Sequence, residues 1–177
     1  MATNFNDLLN KILKSGLISN KIKQSRTWYT DAATMAARFI KEGSKTKADV
    51  KPGEMYMFVY DPKNKATLPL YDRFPIIFPV GPAPGGFYGL NFHYLDYEQR
   101  AKLLTALMGT MDDEKLTASS KIQISYSIIQ NVSQMKDYKL CFKHYLRSHV
   151  RSPFIYVRPE DWETAIFLPS DDFVYNR

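Results

Sequence analysis

Aromatic runs separated by proline and glycine between residues 55 and 93 constrain the fold of this 177-residue chain more than any other feature. Such runs predict short β-strands, because aromatic and β-branched side chains suit a pleated surface and proline and glycine end it. The predicted strands are residues 55–60 (MYMFVY), 74–80 (FPIIFPV) and 87–93 (FYGLNFH). Three short strands in succession indicate a curled antiparallel meander.

The second predicted strand contains Pro75 and Pro79, and the turn-rich run GPAPGG (81–86) connects it to the third. Proline has no N–H to donate to a sheet ladder, so it is confined to edge strands and bulges. We therefore expect this strand either to lie at an edge of the sheet or to be bulged.

Helices are predicted on both sides of the meander in the sequence. Apolar residues recur at helical spacing over 4–15, 27–42, 97–108, 118–134 and 137–149. In the fourth of these ranges the apolar residues also alternate as in a strand, and we choose the helix. Asp96 is a suitable cap for the helix that follows it. A returning strand is predicted over 153–157, Pro159 fits the first turn of a closing helix, and residues 167–177 are expected to be irregular.

This order of elements predicts an α+β fold: two N-terminal helices, a small curled antiparallel sheet and a helical insertion before the last strand. An SH3-like barrel is the geometry that fits the curled sheet best, and an unclassified α+β fold is the alternative. The lysine-rich run SKTKADVKPG (44–53) is typical of a linker. We therefore expect a basic helical arm over 1–51 and a compact domain over 52–177.

The positive charge is concentrated in that arm. The chain has a net charge of +6, and residues 1–51 hold ten basic and four acidic residues, which accounts for all of it. In the rest of the chain, a basic stretch over 136–158 precedes an acidic stretch over 159–177. This pattern favours an electrostatic partner such as nucleic acid or an acidic protein surface. The alternative is that the lysines only solvate two surface helices.

The sequence also excludes several classes of protein. The single cysteine, Cys141, excludes an internal disulfide scaffold and a multi-cysteine zinc site, and it favours a reducing compartment. No apolar run reaches the about 20 residues that a membrane span requires, so no membrane contact is expected. GPAPGG lacks the lysine and hydroxyl residue of a P-loop. We expect no metal and no cofactor.

The candidates for catalysis are better interpreted as structural residues. Cys141 and His144 lie three residues apart in a predicted helix, but Cys141 continues the apolar stripe and so resembles a small buried hydrophobe. His93 is interpreted as a packed histidine at a strand end, and Asp72 as a structural ion-pairing or hydrogen-bonding residue. We predict that the chain is not an enzyme, although the sequence leaves a catalytic role of His93 or of the Cys141/His144 pair open.

Two segments interleave basic with aromatic side chains, a combination that contacts phosphates and stacks on bases. The candidate nucleic-acid-binding residues are Lys21, Lys23, Arg26 and Trp28 in the first segment, and Lys143, Arg147 and Arg151 in the second. Trp28 also fits the apolar face of its own helix, and the arginines are equally able to pair with the acidic residues of 160–172. Nucleic-acid binding therefore stays one of two interpretations.

Six strings that span most of the chain resemble a family of small proteins of T4-like tailed phages (myoviruses). They are SRTWY (25–29), KPGEMYMFVYDPK (51–63), LPLYDRFPIIFPV (68–80), GGFYGLNFHYL (85–95), YLRSHVRSPFIYV (145–157) and WETAIFLPSDDF (162–173). The resemblance lies in the pattern and carries no catalytic residue. It implies a structural or assembly role in the virion, at the tail, the baseplate or the head-tail region.

The first prediction is therefore a non-enzymatic structural or assembly protein of a tailed-phage virion, present in the host cytoplasm during assembly. Its predicted partners are other phage structural proteins or further copies of the chain. The residues predicted to contact them are Phe5, Leu8, Leu9, Ile12, Leu13, Tyr71, Arg73 and Phe74. The N-terminal apolar stripe is equally suited to packing on its own domain. The alternative function is a DNA-binding accessory protein of phage replication, recombination or packaging.

Overall fold

A computed structural model describes residues 4–43, 49–168 and 173–175. The strands are β1 (Met55–Met57), β2 (Leu70–Tyr71), β3 (Ile76–Ala83), β4 (Gly86–Asn91), β5 (Phe142–Leu146), β6 (Ile155–Val157) and β7 (Val174–Tyr175). Five of them form an antiparallel sheet in the order β5-β4-β3-β1-β6, and β2 pairs with β7 in a second, two-stranded sheet. The α+β prediction is confirmed. The larger sheet is open, with β5 and β6 at its edges, so it does not close into an SH3-like barrel.

β3 lies at the centre of the sheet, between β4 and β1, although it contains proline. Pro75 precedes the first residue of the strand, and the register with β4 shifts between Pro79 and Gly81. Such a bulge leaves the proline at a position where the ladder needs no N–H donor. The expectation that this strand lies at an edge or is bulged is confirmed: it is bulged and lies inside the sheet.

The helices are α1 (Phe5–Ser15), α2 (Ile18–Lys41), α3 (Tyr97–Met111), α4 (Ala118–Gln134) and α5 (Trp162–Ile166). The predicted cap of α3 is confirmed: the Asp96 side chain accepts from the Gln99 backbone N–H, and the Gln99 side chain accepts from the Asp96 N–H. The helical choice for 118–134 is also confirmed. α2 begins before residue 27, because no proline or glycine follows Gly16 to delay it.

The helix predicted over 137–149 is wrong. Its residues form a 3-10 helix over Lys136–Cys141, then β5, then a 3-10 turn over Arg147–His149. The apolar spacing does fit a helix, but pairing with β4 sets Tyr145 opposite Phe87 with their rings stacked 5.7 Å apart. Contacts across a sheet outweigh local helical spacing in a segment of this length.

The main core fills one face of the sheet, where the helices pack. Its fully buried members include Phe78, Phe92 and Trp162, and α1 adds Phe5, Leu9 and Ile12 to it. The other face carries a smaller cluster of Phe58, Tyr60, Ile77, Phe87 and Tyr145. None of the helices in the described ranges is long and apolar enough to span a membrane.

The proposed linker lies partly outside the described residues, which omit 44–48. The division into 1–51 and 52–177 stays a prediction, although α1 and α2 pack on the same core as the sheet. In the tail, 169–172 and 176–177 also lie outside the described residues. The prediction of an irregular tail is wrong at 174–175, which pair with β2 as β7.

A buried arginine joins these elements. Arg100 is 1% exposed, and its guanidinium donates to four backbone carbonyls: those of Phe92, His93, Ile166 and Leu168, at 3.1, 3.2, 2.9 and 2.6 Å. Burial lowers the pKa of Arg100 to about 10. This one side chain therefore ties α3 to the chain before it and to the end of α5.

Candidate functional site

A pocket of about 350 Å³ lies between β5 and the segment that leads into β2. The size is within the range of about 300–1,000 Å³ that is usual for small-molecule sites. Apolar and aromatic groups form much of its wall, and Lys143 and Tyr145 enter it from β5. The residues that line it include Leu68, Leu70, Tyr71, Tyr94, Lys143 and Tyr145. Because successive side chains of a strand point to opposite faces, Lys143 and Tyr145 share one face of β5.

A hydrogen-bonded network of buried residues adjoins this pocket. The Asn91 amide donates to Asp72 Oδ2 at 3.0 Å and to the Tyr145 hydroxyl at 3.1 Å. Asp72 Oδ1 accepts from the Phe74 N–H at 3.1 Å, and Oδ2 lies 2.6 Å from His93 Nδ1. Asp72 therefore has the hydrogen-bonding role expected from the sequence. Its side-chain partners, Asn91 and His93, lie at the end of β4 and just after it.

Tyr145 lies at the end of this network, and its hydroxyl proton is the group that matters for ligand binding. Burial, and then the nearby Asp72 charge, raise the pKa of Tyr145 well above its ordinary value, so the hydroxyl stays protonated. Its oxygen accepts from Asn91. Among the described residues, no acceptor receives the proton of this hydroxyl.

Lys143 brings a charge into the same pocket. The side chain is half-buried, and Nζ lies 4.2 Å from the centre of the Tyr94 ring, a cation–π distance. Burial lowers the pKa of Lys143. No carboxylate in the described part of the chain lies within ion-pair distance of Nζ.

Arg147 and Arg151 extend the positive charge beyond β5, and with Lys143 they form what we call the β5 basic surface. Arg147 pairs with Asp49 and lies 5.6 Å from the centre of the Phe87 ring. Arg151 Nη2 lies 3.5 Å from Asp61 Oδ2. The Arg147 hydrogen bond lowers the pKa of Asp49. Both arginines are exposed, and exposed ion pairs of this kind are weak.

The arginines of this surface do not pair with the acidic residues of 160–172 in the described structure. Arg158 does, with its Nε 3.5 Å from Asp161. Lys21 on α2 also does, with its Nζ 2.6 Å from Glu163. The pairing that the sequence allowed therefore occurs for Arg158. Arg147 and Arg151 pair with Asp49 and Asp61, while Asp171 and Asp172 lie outside the described residues.

The other nucleic-acid candidates lie on α2. Lys21 is engaged by Glu163, and Trp28 is half-buried and packs on the main core, as its place in the apolar stripe indicates. Lys23 and Arg26 are exposed. The structure thus separates the two sets of candidates onto α2 and onto the segment that begins with β5.

Most of the predicted protein-contact residues support the chain's own fold. Phe5, Leu9, Ile12, Tyr71 and Phe74 are buried, Leu8 is half-buried against the main core, and Leu13 and Arg73 are exposed. Their role in contacts with other proteins stays a prediction.

The candidate catalytic residues do not assemble into a site in the described ranges. Cys141 is buried at the end of its 3-10 helix, and burial raises its pKa to about 11. His144 is on β5, where Nε2 lies 2.9 Å from the Pro84 carbonyl oxygen, so the shared helix face does not exist. His93 has the orienting partner Asp72 but is 2% exposed. No cluster of metal-ligating side chains occurs in the described residues.

Asn91, Tyr94 and Tyr145 are not among the predicted site residues, because a helix over 137–149 would leave β5 out of the sheet. A signal was present in β4. A Cβ at Gly86 would lie 1.8 Å from the Tyr145 carbonyl oxygen, and one at Gly89 would lie 3.0 Å from the Tyr145 ring. Glycine inside a strand indicates close approach of another backbone, and here that backbone is β5.

Comparison with known proteins identifies a family. The family model described as phage T4 terminal DNA protecting protein matches residues 1–177. No curated protein and no solved structure matches the chain. The resemblance to proteins of T4-like phages is therefore confirmed over the whole sequence.

The match corrects the first functional prediction. A structural or assembly component of the tail, baseplate or head-tail region is wrong, because the matching family is described by the protection of terminal DNA. The alternative, a DNA-binding accessory protein, agrees with that description. The virion role follows only from the fact that phage proteins of this size are commonly virion components, and no residue of this chain indicates it.

Proposed function

Since the chain belongs to the family of the phage T4 terminal DNA protecting protein, we propose that it binds the ends of double-stranded DNA and shields them from degradation. The observation that carries this proposal is the match of the family model to every residue from 1 to 177. Protection by occupancy requires a surface that holds DNA and no chemical step. We therefore propose a non-enzymatic protein that acts in the host cytoplasm during infection.

The β5 basic surface supports the proposal and gives it a location. Its three cations, Lys143, Arg147 and Arg151, come from one short segment that begins on an edge strand. Two of the cations lie over aromatic rings, which limits the freedom of long side chains before DNA arrives. Lys and Arg contacts to phosphates provide most of the non-specific affinity of proteins for DNA.

The α2 candidates are a weaker location for the same function. Lys21 already neutralises Glu163, so a contact with phosphate would have to break that pair. Trp28 contributes to the core and is not presented for stacking on a base. We therefore assign the main DNA contacts to the β5 basic surface and treat Lys23 and Arg26 as the comparison set.

The test compares DNA with and without ends. Fluorescence anisotropy would measure the affinity of the full chain for a linear blunt duplex and for a duplex of the same sequence closed by hairpins at both ends. We expect tighter binding to the linear duplex. Equal affinity for the two molecules would contradict recognition of an end.

A second assay measures protection directly. The linear duplex is incubated with a purified double-strand exonuclease, with and without the chain, and the surviving full-length DNA is quantified. Substitution of Arg147 and Arg151 by glutamine should reduce protection. The matched control is Lys11→Gln, an exposed lysine of α1, which should protect like the unmodified chain.

A further inference from the structure

The pocket beside β5 contains a lysine that forms no ion pair among the described residues. The Lys143 ammonium is half-buried and lies over the Tyr94 ring, and the one carboxylate in the described lining of the pocket, that of Asp72, is not within ion-pair distance of it. A cation removed from water is costly unless it is paired. The cation–π contact offsets part of that cost. The site therefore favours an anionic ligand.

The pocket that contains this cation also offers a neutral hydrogen-bond donor. The Tyr145 hydroxyl is buried, is held by Asn91, and has a proton that no acceptor receives among the described residues. Lys143 and Tyr145 are two residues apart on one face of β5, so both groups enter the pocket from the same side. An ammonium and a hydroxyl that line one pocket suit an anion with several acceptor oxygens, such as a phosphate.

The Asp72 carboxylate does not cancel this preference. Its oxygens already accept from the Phe74 N–H, from the Asn91 amide and from His93. Both oxygens of Asp72 are therefore engaged by the network, and no ion pair joins Asp72 to Lys143 in the described part of the chain. Lys143 is thus left for a ligand.

The shape of the pocket limits what can enter. About 350 Å³ accommodates one terminal group, whereas a duplex, whose major groove alone is about 12 Å wide, cannot enter. Tyr71 and Tyr94 line the wall with aromatic surface against which a terminal sugar or base can pack. At pH 7 a phosphate monoester carries a charge of about −1.5 to −2, more than a phosphodiester inside a strand. A pocket for a monoester therefore distinguishes the end of a strand from its interior.

We propose that this pocket binds the terminal phosphate monoester of a DNA strand, with the Lys143 ammonium and the Tyr145 hydroxyl as its donors. The inference rests on the proposed function, because it assigns a residue-level site to the recognition of DNA ends. The β5 basic surface continues from Lys143 to Arg147 and Arg151, so the same segment that holds the terminal phosphate contacts the backbone behind it.

The experiment varies only the chemistry of the end. Anisotropy titrations would compare linear duplexes that carry a 5′-phosphate, a 3′-phosphate or hydroxyls at both ends. A preference for either phosphorylated end supports the proposal and identifies the strand end that is held. We expect about a tenfold preference or more, the change produced by a charge-assisted hydrogen bond. Equal affinity for all three duplexes would overturn it.

Two variants test the assigned donors. Lys143→Gln removes the charge from a half-exposed side chain, and Tyr145→Phe removes only the hydroxyl; each should bring the preference for the phosphorylated end close to one. Arg151→Gln is the matched comparison: it should weaken binding to phosphorylated and hydroxyl ends by the same factor. A preference that survives in both Lys143→Gln and Tyr145→Phe would show that the phosphate is held elsewhere.

A final arm separates this inference from the proposed function. NMR would follow the binding of a 5′- or a 3′-phosphorylated dinucleotide, and of the unphosphorylated one, to the full chain. Phosphate-dependent binding of the dinucleotide, with no preference for linear over closed duplex, would retain the pocket and refute end protection. A preference for linear duplex with no effect of phosphate in either assay would retain end protection and refute the pocket.

Discussion

The salt dependence of DNA binding tests the β5 basic surface most directly. Replacing Lys143, Arg147 and Arg151 together by glutamine removes three charges from one segment and leaves the core unchanged, since none of the three side chains is fully buried. Each phosphate that a cation neutralises contributes a slope of about −0.9 to the logarithm of affinity against the logarithm of salt concentration. If each residue contacts one phosphate, the triple variant should lose about 2.7 from that slope.

This difference is large enough to measure. Between about 50 and about 200 mM salt, a slope of about 2.7 corresponds to about a 40-fold change in affinity. The unmodified chain should therefore lose about 40-fold more affinity over this range than the triple variant does. The assay is anisotropy with an end-labelled linear duplex at a series of sodium chloride concentrations.

The ion pair of Arg147 on this surface should reduce the affinity for DNA. Arg147 is paired with Asp49 before DNA arrives, so binding must break that contact. Asp49→Asn releases the arginine and should tighten binding by up to about fivefold, which is the limit for an exposed pair. A weakening of binding by Asp49→Asn would show that Arg147 does not contact phosphate.

Variants of α1 and α2 serve as controls for the salt dependence of the triple variant. Lys11→Gln should leave the slope unchanged. If the triple variant keeps the full slope and Lys23→Gln with Arg26→Gln reduces it, the DNA lies on α2 and the assignment to the β5 basic surface is refuted.

Three further predictions concern the fold. Arg100→Leu should lower the free energy of unfolding by about 3–5 kcal/mol, because buried carbonyls lose a charged donor. Urea denaturation would measure this change, and a loss below about 1 kcal/mol would contradict the role of Arg100. Cys141, whose pKa burial raises to about 11, should react with a thiol reagent at about pH 8 only after unfolding, and rapid native labelling would contradict its burial. The hydrogen bond from Arg147 holds the pKa of Asp49 below its ordinary value of 3.8. The pair therefore stabilises the fold above that pH, and its contribution is lost as the pH falls through the lowered pKa. An NMR titration of Arg147→Gln should show a higher Asp49 pKa than in the unmodified chain, and an unchanged pKa would contradict the pair.

Local patterns in the sequence predict most of the fold. The three aromatic runs, the returning strand and the cap at Asp96 are each visible within a few residues, because turn chemistry and capping are local properties. Whether the strand that contains Pro79 lies at an edge or is bulged depends on which strands pair with it, and the local sequence does not show this. The order β5-β4-β3-β1-β6 depends on pairing across long separations in sequence, which no local pattern encodes.

The candidate site is harder to predict than the fold, because it depends on the conformation of one segment, residues 142–146. In residues 142–146 the spacing of apolar residues fits a helix, and the same letters alternate as a strand with Lys143 and Tyr145 on one face. Only the second arrangement brings Tyr145 to Asn91 and Lys143 to Tyr94, which lie more than fifty and more than forty residues earlier in the chain. The sequence does group Lys143, Arg147 and Arg151, whose role in DNA binding stays a prediction. A helix over these residues would present a charged face and no pocket.

The edge position of β5 connects the fold to the proposed function. A central strand has both sides occupied by neighbouring strands, whereas an edge strand leaves one side open and is usually protected by charged side chains. Here the protecting charges are Lys143 on β5 and the arginines that follow it, and the pocket lies along the same strand. The cations that keep this edge from pairing with another sheet are therefore the groups best placed to meet a phosphate backbone. It follows that neutralising them should weaken DNA binding and also expose an edge that favours self-association, which sedimentation of the triple variant without DNA would detect.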